Sequence, residues 1–319
     1  MNSISKLKKH DINITKKSFG ERVVRDFKKN RVPYLLILPV LAFYIIFHYA
    51  PMYGVVIAFK NYSPGKGIIG SAWVGLDHFI NFFKSVYFKR VLVNTLRISI
   101  TNIIFGFSTP IILALLINEL KSIRYSRVVQ TITYMPHFIS LVVVCGMLAD
   151  FTSSNGIITQ ICMKFGMEGR NLLRVPNYFT TIYVASDVWQ GVGWGSIIYL
   201  AALAGIDPSL HEAARIDGAN RWRQVWAVDI PSILPTIITL LILRMGRVMS
   251  VGYEKIILLY NSLTMEKADV IASFVYRKGL LESNYGYSTA VGLFNSVINM
   301  LLVITANAIS RKTNETSLW

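Results

Sequence analysis

Four long stretches of this 319-residue chain contain no Asp, Glu, Lys or Arg. They are residues 32–59, 98–118, 128–149 and 283–310. About 20 apolar residues cross the hydrocarbon core of a bilayer as a helix, and these stretches hold 28, 21, 22 and 28 residues. Two further apolar stretches, about 179–203 and about 230–252, are interrupted by Asp187 and by Arg244 and Arg247. The chain is therefore predicted to be an all-α, polytopic membrane protein with six transmembrane helices.

Composition agrees with this class, because 53% of the residues are hydrophobic and only 16% are charged, whereas soluble domains average about 25% charged residues. Lys and Arg are enriched on the cytoplasmic side of membrane proteins. With both termini inside, the cytoplasmic segments hold 18 Lys and Arg, against 12 in the three longer loops opposite. The predicted topology is N-in and C-in. The net charge of +16 then indicates contact with anionic lipid rather than with nucleic acid.

The predicted organisation is one transmembrane domain, residues 32–310, between a basic cytoplasmic tail, 1–31, and a short cytoplasmic tail, 311–319. The first span contains two prolines and a glycine, so we expect it to be bent or broken. Of the outer segments, 151–178 is expected to lie along the surface, and 253–286 to be a loop rich in Tyr and charge. The predicted spans cover about 34–58, 95–118, 128–150, 179–203, 230–252 and 288–309.

Between the fourth and fifth predicted spans lies a polar segment, residues 205–229, which includes the sequence HEAARIDGAN. Asp207 and Pro208 favour a helix start, since Asp caps free backbone N–H groups and Pro suits the first helical position. Gly218 is expected to adopt the left-handed conformation that ends a helix. A second helix restarts at Asn220. The sequence thus predicts a short helix, a glycine turn and a second helix on the cytoplasmic face.

The composition of the short helix is suited to docking. Ala213 and Ala214 carry little side-chain bulk, so another surface can approach the backbone closely. Glu212 and Asp217 offer carboxylates to basic groups or backbone donors. The alternative is that Glu212 is an ordinary solvated charge.

The sequence EAARIDGANRWRQVWAVDIPSILP, from Glu212 to Pro235, resembles the EAA loop of membrane subunits of binding-protein-dependent ABC importers. Val225 stands where an aromatic residue is common, and Ile230 where Leu is usual, which affects only packing detail. PYLLILPVLAFYIIFHYAPMYGVVIAF, WVGLDHF and NTLRISI are similar to the sugar-type branch. Within it, the chain looks most like the first permease of transporters for complex oligosaccharides, including pectin-derived ones.

The resemblance implies a type I ABC importer permease fold in the cell membrane, paired with a second permease as a heterodimer. It also implies a cytoplasmic ATPase dimer, an extracytoplasmic solute-binding protein and an oligosaccharide substrate. Residues 205–229 become a coupling loop that docks on the ATPases. By resemblance, its coupling residues are Glu212, Ala213, Ala214, Asp217, Gly218 and Ala219.

The sequence lacks a phosphate-binding loop of the form G-x-x-x-x-G-K-[ST], since SPGKG at 63–67 has the wrong spacing. ATP and Mg²⁺ are therefore expected on the partner subunits, with no cofactor bound by this chain. No residue pattern indicates a catalytic or metal site. The chain is predicted not to be an enzyme itself.

Charged groups inside spans usually face a cavity or a partner. Arg244 and Arg247 lie three residues apart and could clamp a carboxylate, such as that of a uronic acid, through paired hydrogen bonds. The alternative is an ion pair with an acid such as Asp187, Asp150 or one of the partner permease, or an interaction at the outer membrane interface. Both interpretations are open at this level.

The fourth span carries SDVWQGVGWG, in which Trp189, Gln190, Gly191 and Trp194 offer stacking faces, an amide and close access for a sugar ring. The alternative for the glycines is close helix packing, and for the tryptophans interfacial anchoring. Upstream, YMPHF carries two more candidates for the substrate pathway, which are Tyr134 and His137.

Three other functions compete with an ABC oligosaccharide permease. An ion-coupled sugar carrier would show inverted repeats with matching broken helices and would need no docking loop. A membrane-embedded enzyme would place paired His or acidic residues along its spans. In this sequence the His and acidic residues are scattered. An ABC permease for a non-sugar solute would share the docking loop and differ only in its cavity.

Overall fold

A computed structural model of the protein describes Gly20, Phe27 and residues 29–314, with side chains to residue 312. The predicted tails, 1–31 and 311–319, therefore lie largely outside the described residues. The helices are α1 (Arg31–Tyr44), α2 (Ala50–Met52), α3 (Gly67–Gly70), α4 (Asp77–Lys84), α5 (Val86–Asn118), α6 (Ile123–Tyr134), α7 (Leu141–Phe151), α8 (Ile157–Lys164), α9 (Phe179–Ala204), α10 (Pro208–Ile216), α11 (Arg221–Gln224), α12 (Ile230–Met245), α13 (Tyr253–Leu259), α14 (Met265–Ala268), α15 (Ile271–Tyr276) and α16 (Tyr285–Asn314).

Several shorter elements connect these helices. The 3₁₀ turns cover Tyr53–Phe59, Met135–Phe138, Leu172–Arg174 and Pro176–Tyr178. The π-helical turns cover Ile45–Tyr49, Val225–Asp229 and Arg277–Leu281. Two short strands, β1 (Lys60–Asn61) and β2 (Ala72–Trp73), pair antiparallel, with Lys60 opposite Trp73.

Within the described residues, four helices are long and apolar enough to cross a membrane, and up to six if each bent pair forms one span. The four are Arg31–Phe59, Val86–Asn118, Arg221–Met245 and Tyr285–Lys312. One bent pair joins Ile123–Phe138 to Leu141–Phe151 at 98°, and the other joins Pro176–Ala204 to Pro208–Ile216 at 72°. The chain is thus an all-helical, multi-pass membrane protein.

The first helix has no break between Arg31 and Phe59, but it is irregular, because it contains a π turn and ends in a 3₁₀ segment, Tyr53–Phe59. The π turn, Ile45–Tyr49, ends two residues before Pro51. Proline has no N–H and its ring clashes with the preceding helical turn; a π turn accommodates such an irregularity without ending the helix. No residue between Arg31 and Met52 is buried, and residues up to Val55 form a unit of their own.

The third predicted span, 128–150, is not one helix. Its two halves, Ile123–Phe138 and Leu141–Phe151, meet at 98°, and the chain between them is extended at Ile139. Pro136 disfavours a continuing helix. Ser140 then caps α7, accepting a hydrogen bond from the Val143 N–H at 3.4 Å.

The outer segment 253–286 is not an exposed loop, in contrast to the prediction. It contains α13, α14 and α15, and its apolar residues form much of the core of residues 56–314. Ile256, Val270, Ile271 and Phe274 are each 0% exposed. Three charged residues of the segment, Lys255, Asp269 and Arg277, are paired with other charged side chains and are not freely solvated.

The pairing of these charges attaches the segment to α5. The buried Asp269 carboxylate lies 3.2 Å from the Arg90 guanidinium and 2.7 Å from that of Arg277. The Asn94 amide donates to the Asp269 carbonyl at 3.0 Å, and the Ile271 N–H donates to the Thr95 hydroxyl at 3.0 Å. Buried charges need such partners, so this network explains how an acid is accommodated in the core.

Two glycines let α9 pack closely between its neighbours. This agrees with the alternative interpretation of GVGWG, in which the glycines serve helix packing. A Cβ on Gly193 would lie 2.1 Å from the Thr133 carbonyl oxygen of α6, and one on Gly195 would lie 3.0 Å from Pro110 of α5. At Gly191, by contrast, a Cβ would meet no atom within 4 Å. The packing interpretation therefore holds for two of the three glycines.

Gly193→Ala is expected to destabilise the protein, because the added methyl group meets backbone atoms that can move only if α6 shifts. Overpacking of this kind costs about 1–3 kcal/mol. Gly191→Ala, on the same helix and in open space, is the matched control and should leave stability unchanged or slightly higher. Thermal unfolding of the detergent-purified protein measures both, and equal midpoints for the two variants would contradict the packing argument.

Candidate functional site

The coupling loop begins with a well-capped helix. The Asp207 carboxylate accepts a hydrogen bond from the Ser209 N–H at 2.9 Å, and Pro208 occupies the first turn. These bonds from Ser209 hold the pKa of the Asp207 carboxyl below its usual range. Because α10 leaves the end of α9 at a bend of 72°, the short helix points away from the helix that precedes it. The predicted start at Asp207 and Pro208 is confirmed.

The glycine turn after α10 is also as predicted. Gly218 has a φ of +76°, and its N–H donates to the Arg215 carbonyl at 3.0 Å. The Ala219 N–H donates to the Ala214 carbonyl at 2.9 Å, which completes a Schellman cap. Asn220 then caps α11 by accepting from the Arg223 N–H at 2.9 Å.

The side chains named as coupling residues lie on or near the surface of α10 and its turn. Glu212, Ala213, Asp217 and Gly218 are exposed, and Ala214 and Ala219 are half-buried. Beside them, Ile216 is 86% exposed. The exposed Ile216 was missing from the sequence prediction.

A second feature is a cavity of about 220 Å³ lined by both apolar and charged side chains, which we call the charged cavity. It lies between α5, α9 and the chain that follows α12. Its lining includes Ser99, Asn102, Tyr183, Asp187, Arg244 and Arg247. The structure therefore brings three charged candidates from two predicted spans to one place.

A chain of hydrogen bonds crosses the charged cavity. The Arg244 guanidinium donates to the Asn102 amide oxygen at 2.7 Å, and the Asn102 amide nitrogen donates to the Asp187 carboxylate at 2.6 Å. The Lys255 ammonium donates to the same carboxylate at 2.8 Å and lies 4.7 Å from the centre of the Tyr183 ring. Asp187 therefore pairs with Lys255, and Arg244 reaches it only through Asn102.

Arg247 lies in a turn just beyond the end of α12, which stops at Met245, whereas the predicted span continued to about residue 252. The turn that carries it is held in place from both sides. The Ser99 hydroxyl donates to the Val248 carbonyl, and the Met249 N–H donates to the Asn299 side chain at 2.9 Å. Among the described residues, the exposed Arg247 guanidinium forms no ion pair.

The comparison with known proteins identifies the class. Residues 106–315 match the family described as "Binding-protein-dependent transport system inner membrane component". The chain belongs to this family. The recognition of an ABC importer permease from its EAA loop is thereby confirmed, and the chain is a transport subunit rather than an enzyme.

Relatives of this permease match it over nearly its whole length. Protein LplB of Bacillus subtilis (strain 168) is 41% identical over 98% of both chains. The polygalacturonan/rhamnogalacturonan transport system permease protein YteP of the same organism is 39% identical over 97% of both chains. A crystal structure of a bacterial alginate ABC transporter, in complex with an alginate pentasaccharide-bound periplasmic protein, matches with a TM-score of 0.85 and 41% identity. That match covers 93% of the permease and 100% of the other chain.

The other predicted pathway residues of the permease do not line the charged cavity. Trp189 lines a separate apolar groove of about 670 Å³ between α7, α8 and α9. The Gln190 amide donates to the Ile139 carbonyl at 3.0 Å, which satisfies the backbone at the bend before α7. Trp194 stacks on His137 at 4.6 Å between ring centres. Tyr134 lies against Gly193, where a Cβ would meet its ring at 2.9 Å.

Sequence reasoning missed Asn102 and Lys255, although both belong to the charged cavity's network. Lys255 was assigned to an outer loop because it follows the fifth span. Asn102, an amide in an apolar stretch, is a signal that could have been used, since polar residues inside spans usually have partners.

Asp150 is exposed at the end of α7. No group of three His, Cys, Asp or Glu within the described chain is placed to hold a metal ion.

Proposed function

We propose that this chain is one of two different permease subunits of an ATP-driven importer in the cell membrane. A cytoplasmic ATPase dimer, which carries ATP and Mg²⁺, docks on the coupling loop. A solute-binding protein delivers an oligosaccharide to the opposite face. The observation that carries the proposal is the coupling loop itself, a capped helix with Glu212 exposed, followed by the Gly218 turn.

We further propose six spans with both termini in the cytoplasm, and a permease domain over residues 32–310. The bent pair Ile123–Phe138 and Leu141–Phe151 then counts as one span. In the other bent pair, Pro176–Ala204 crosses the membrane, and Pro208–Ile216 belongs to the coupling loop. The distribution of Lys and Arg supports this topology. The coupling loop, residues 205–229, and both tails share the cytoplasmic side with the ATPases.

We propose an acidic oligosaccharide as the substrate. Three cations meet in or beside the charged cavity, and Asp187 neutralises one of them by pairing with Lys255. Arg244 and Arg247 leave an excess of positive charge that favours carboxylate groups. Relatives of the chain act on polygalacturonan and on alginate, an acidic polysaccharide. A cavity of about 220 Å³ is smaller than the roughly 300–1,000 Å³ of pockets that enclose a drug-sized ligand, so it would hold only a part of an oligosaccharide at a time.

Reconstitution of the full importer into proteoliposomes tests this function. Uptake of a labelled galacturonate oligosaccharide is expected only when ATP and the binding protein are on opposite sides of the bilayer. The reason is that the coupling loop and the substrate entrance belong to opposite faces. Vesicles with the binding protein but a non-hydrolysable ATP analogue are the control. Uptake driven by a proton or sodium gradient without ATP would instead identify an ion-coupled carrier.

A further inference from the structure

The cytoplasmic end of the helix Arg221–Met245 contains a buried carboxylate with incomplete bonding. Asp229 ends the π turn Val225–Asp229 and its side chain is 1% exposed. Neither carboxylate oxygen has a hydrogen-bond partner among the described residues. A buried charge without hydrogen bonds is costly, and π turns inside helices are frequent at functional positions.

The group that faces this carboxylate comes from the coupling helix, α10. The His211 Nε2 atom lies 3.3 Å from the Asp229 Oδ1 atom, within ion-pair range. Among the described residues, the other polar side-chain bond of α10 is the one to its own cap, Asp207. The contact between His211 and Asp229 is therefore the polar side-chain link from α10 to the next long helix. Elsewhere a groove of about 670 Å³ separates Glu212 and Arg215 from the chain after α5.

Two of the other charged groups around the pair are engaged with each other. Glu119 and Arg221, which line the same groove, pair at 3.6 Å between the Arg221 Nη1 and Glu119 Oε2 atoms. Both side chains are considerably more exposed than Asp229. Lys121 and Arg215 also line the groove. The contact between α10 and the long helix is thus concentrated on His211 and Asp229.

We propose that His211 and Asp229 are a positioning pair, which transmits movement of the coupling helix to the helix Arg221–Met245. That helix carries Arg244 near its other end, in the charged cavity. A displacement of α10 by an ATPase therefore reaches the substrate site through one histidine, one buried carboxylate and one continuous helix. The inference rests on the proposed function and assigns to this pair the link between the coupling loop and the cavity.

The test uses the complete importer in proteoliposomes with its binding protein, and the variants His211→Ala, Asp229→Asn and the double variant. The measured quantity is the stimulation of ATP hydrolysis by oligosaccharide-loaded binding protein. Each single variant is expected to lower this stimulation roughly tenfold, the usual size of a coupling between two sites. The double variant should be no lower than either single one, since both remove the same interaction.

Two further measurements separate transmission from folding. Asp229→Asn replaces a buried carboxylate that has no hydrogen-bond partner with a neutral amide of similar shape, so its thermal midpoint should be unchanged or higher while coupling is lost. The amount of co-purified ATPase should also be unchanged. Glu119→Gln, an acid in the same groove with an exposed partner, is the matched control and should keep stimulation within about twofold of the wild type.

Full stimulation in His211→Ala, or losses that add in the double variant, would overturn the proposal. A fall in co-purified ATPase equal to the fall in stimulation would overturn it too, because the pair would then serve assembly. Failure of the proposed function is distinguishable, since it appears in the wild-type importer as uptake that does not require ATP.

Discussion

Gly218→Val is expected to abolish ATP-driven uptake. The φ of +76° at this position costs a residue with a Cβ about 1–2 kcal/mol, and a β-branched residue more. A strain of about 2 kcal/mol lowers the population of the folded turn by about thirtyfold. The two hydrogen bonds of the cap are lost whenever the turn opens. Co-purification of the ATPase and uptake by proteoliposomes measure the effect.

Three variants make this prediction specific. Gly218→Asn should retain most of the uptake, because Asn tolerates the left-handed region. Gly67→Val introduces comparable backbone strain, because Gly67 has a φ of +66° and also lies in open space. Since Gly67 is far along the chain from the coupling loop, this variant should retain uptake. Glu212→Gln should lose ATPase co-purification without backbone strain. Normal transport in Gly218→Val would show that the turn geometry is dispensable.

Replacing Arg244 and Arg247 by Ala is expected to abolish uptake of an acidic oligosaccharide and to spare a neutral one. Each guanidinium offers a charge-assisted hydrogen bond worth about 1.5–3 kcal/mol, equivalent to about a tenfold to hundredfold change in affinity. The effect should be larger for Arg247→Ala, since Arg244 already donates to Asn102. Initial uptake rates by proteoliposomes measure the loss.

The matched neutral substrate is the methyl-esterified form of the same oligosaccharide, which keeps the length and linkage and removes the charge. Its binding and that of the acid to the solute-binding protein must be measured separately, because that protein acts before the cavity. Lys267→Ala, a cation of the outer segment outside the charged cavity, is the control variant. Equal losses for the acid and its ester would refute the carboxylate clamp and leave a packing role for the arginines.

Sequence reasoning located best the helices whose ends are set by residues close in the chain. α9 (Phe179–Ala204) lies within one residue of its predicted bounds. The coupling loop was equally predictable, because Asp207, Gly218 and Asn220 act on backbone groups a few residues away. Caps and positive φ angles are local properties of the chain, so a motif of ten residues contains the information.

Contacts distant in the chain were not predictable in the same way. Lys255 was expected in an outer loop, yet it is 4% exposed and bonded to Asp187. The outer segment holds core residues because Arg90 and Arg277 neutralise Asp269. A sequence pattern records that a residue is charged, while its burial can depend on a partner far along the chain, as with Asp187 and Lys255, which are 68 residues apart.

The sequence by itself determined that this chain crosses a membrane several times, that it belongs to the binding-protein-dependent permeases, and where its docking helix begins and ends. Hydrophobic length and helix capping depend on neighbouring residues, and the linear order contains them. Only the tertiary structure decided that Asn102, Asp187, Arg244 and Lys255 share one hydrogen-bonded network, and that His211 meets Asp229. The desolvation of a charge and its compensation are set by packing between helices, which no local pattern specifies.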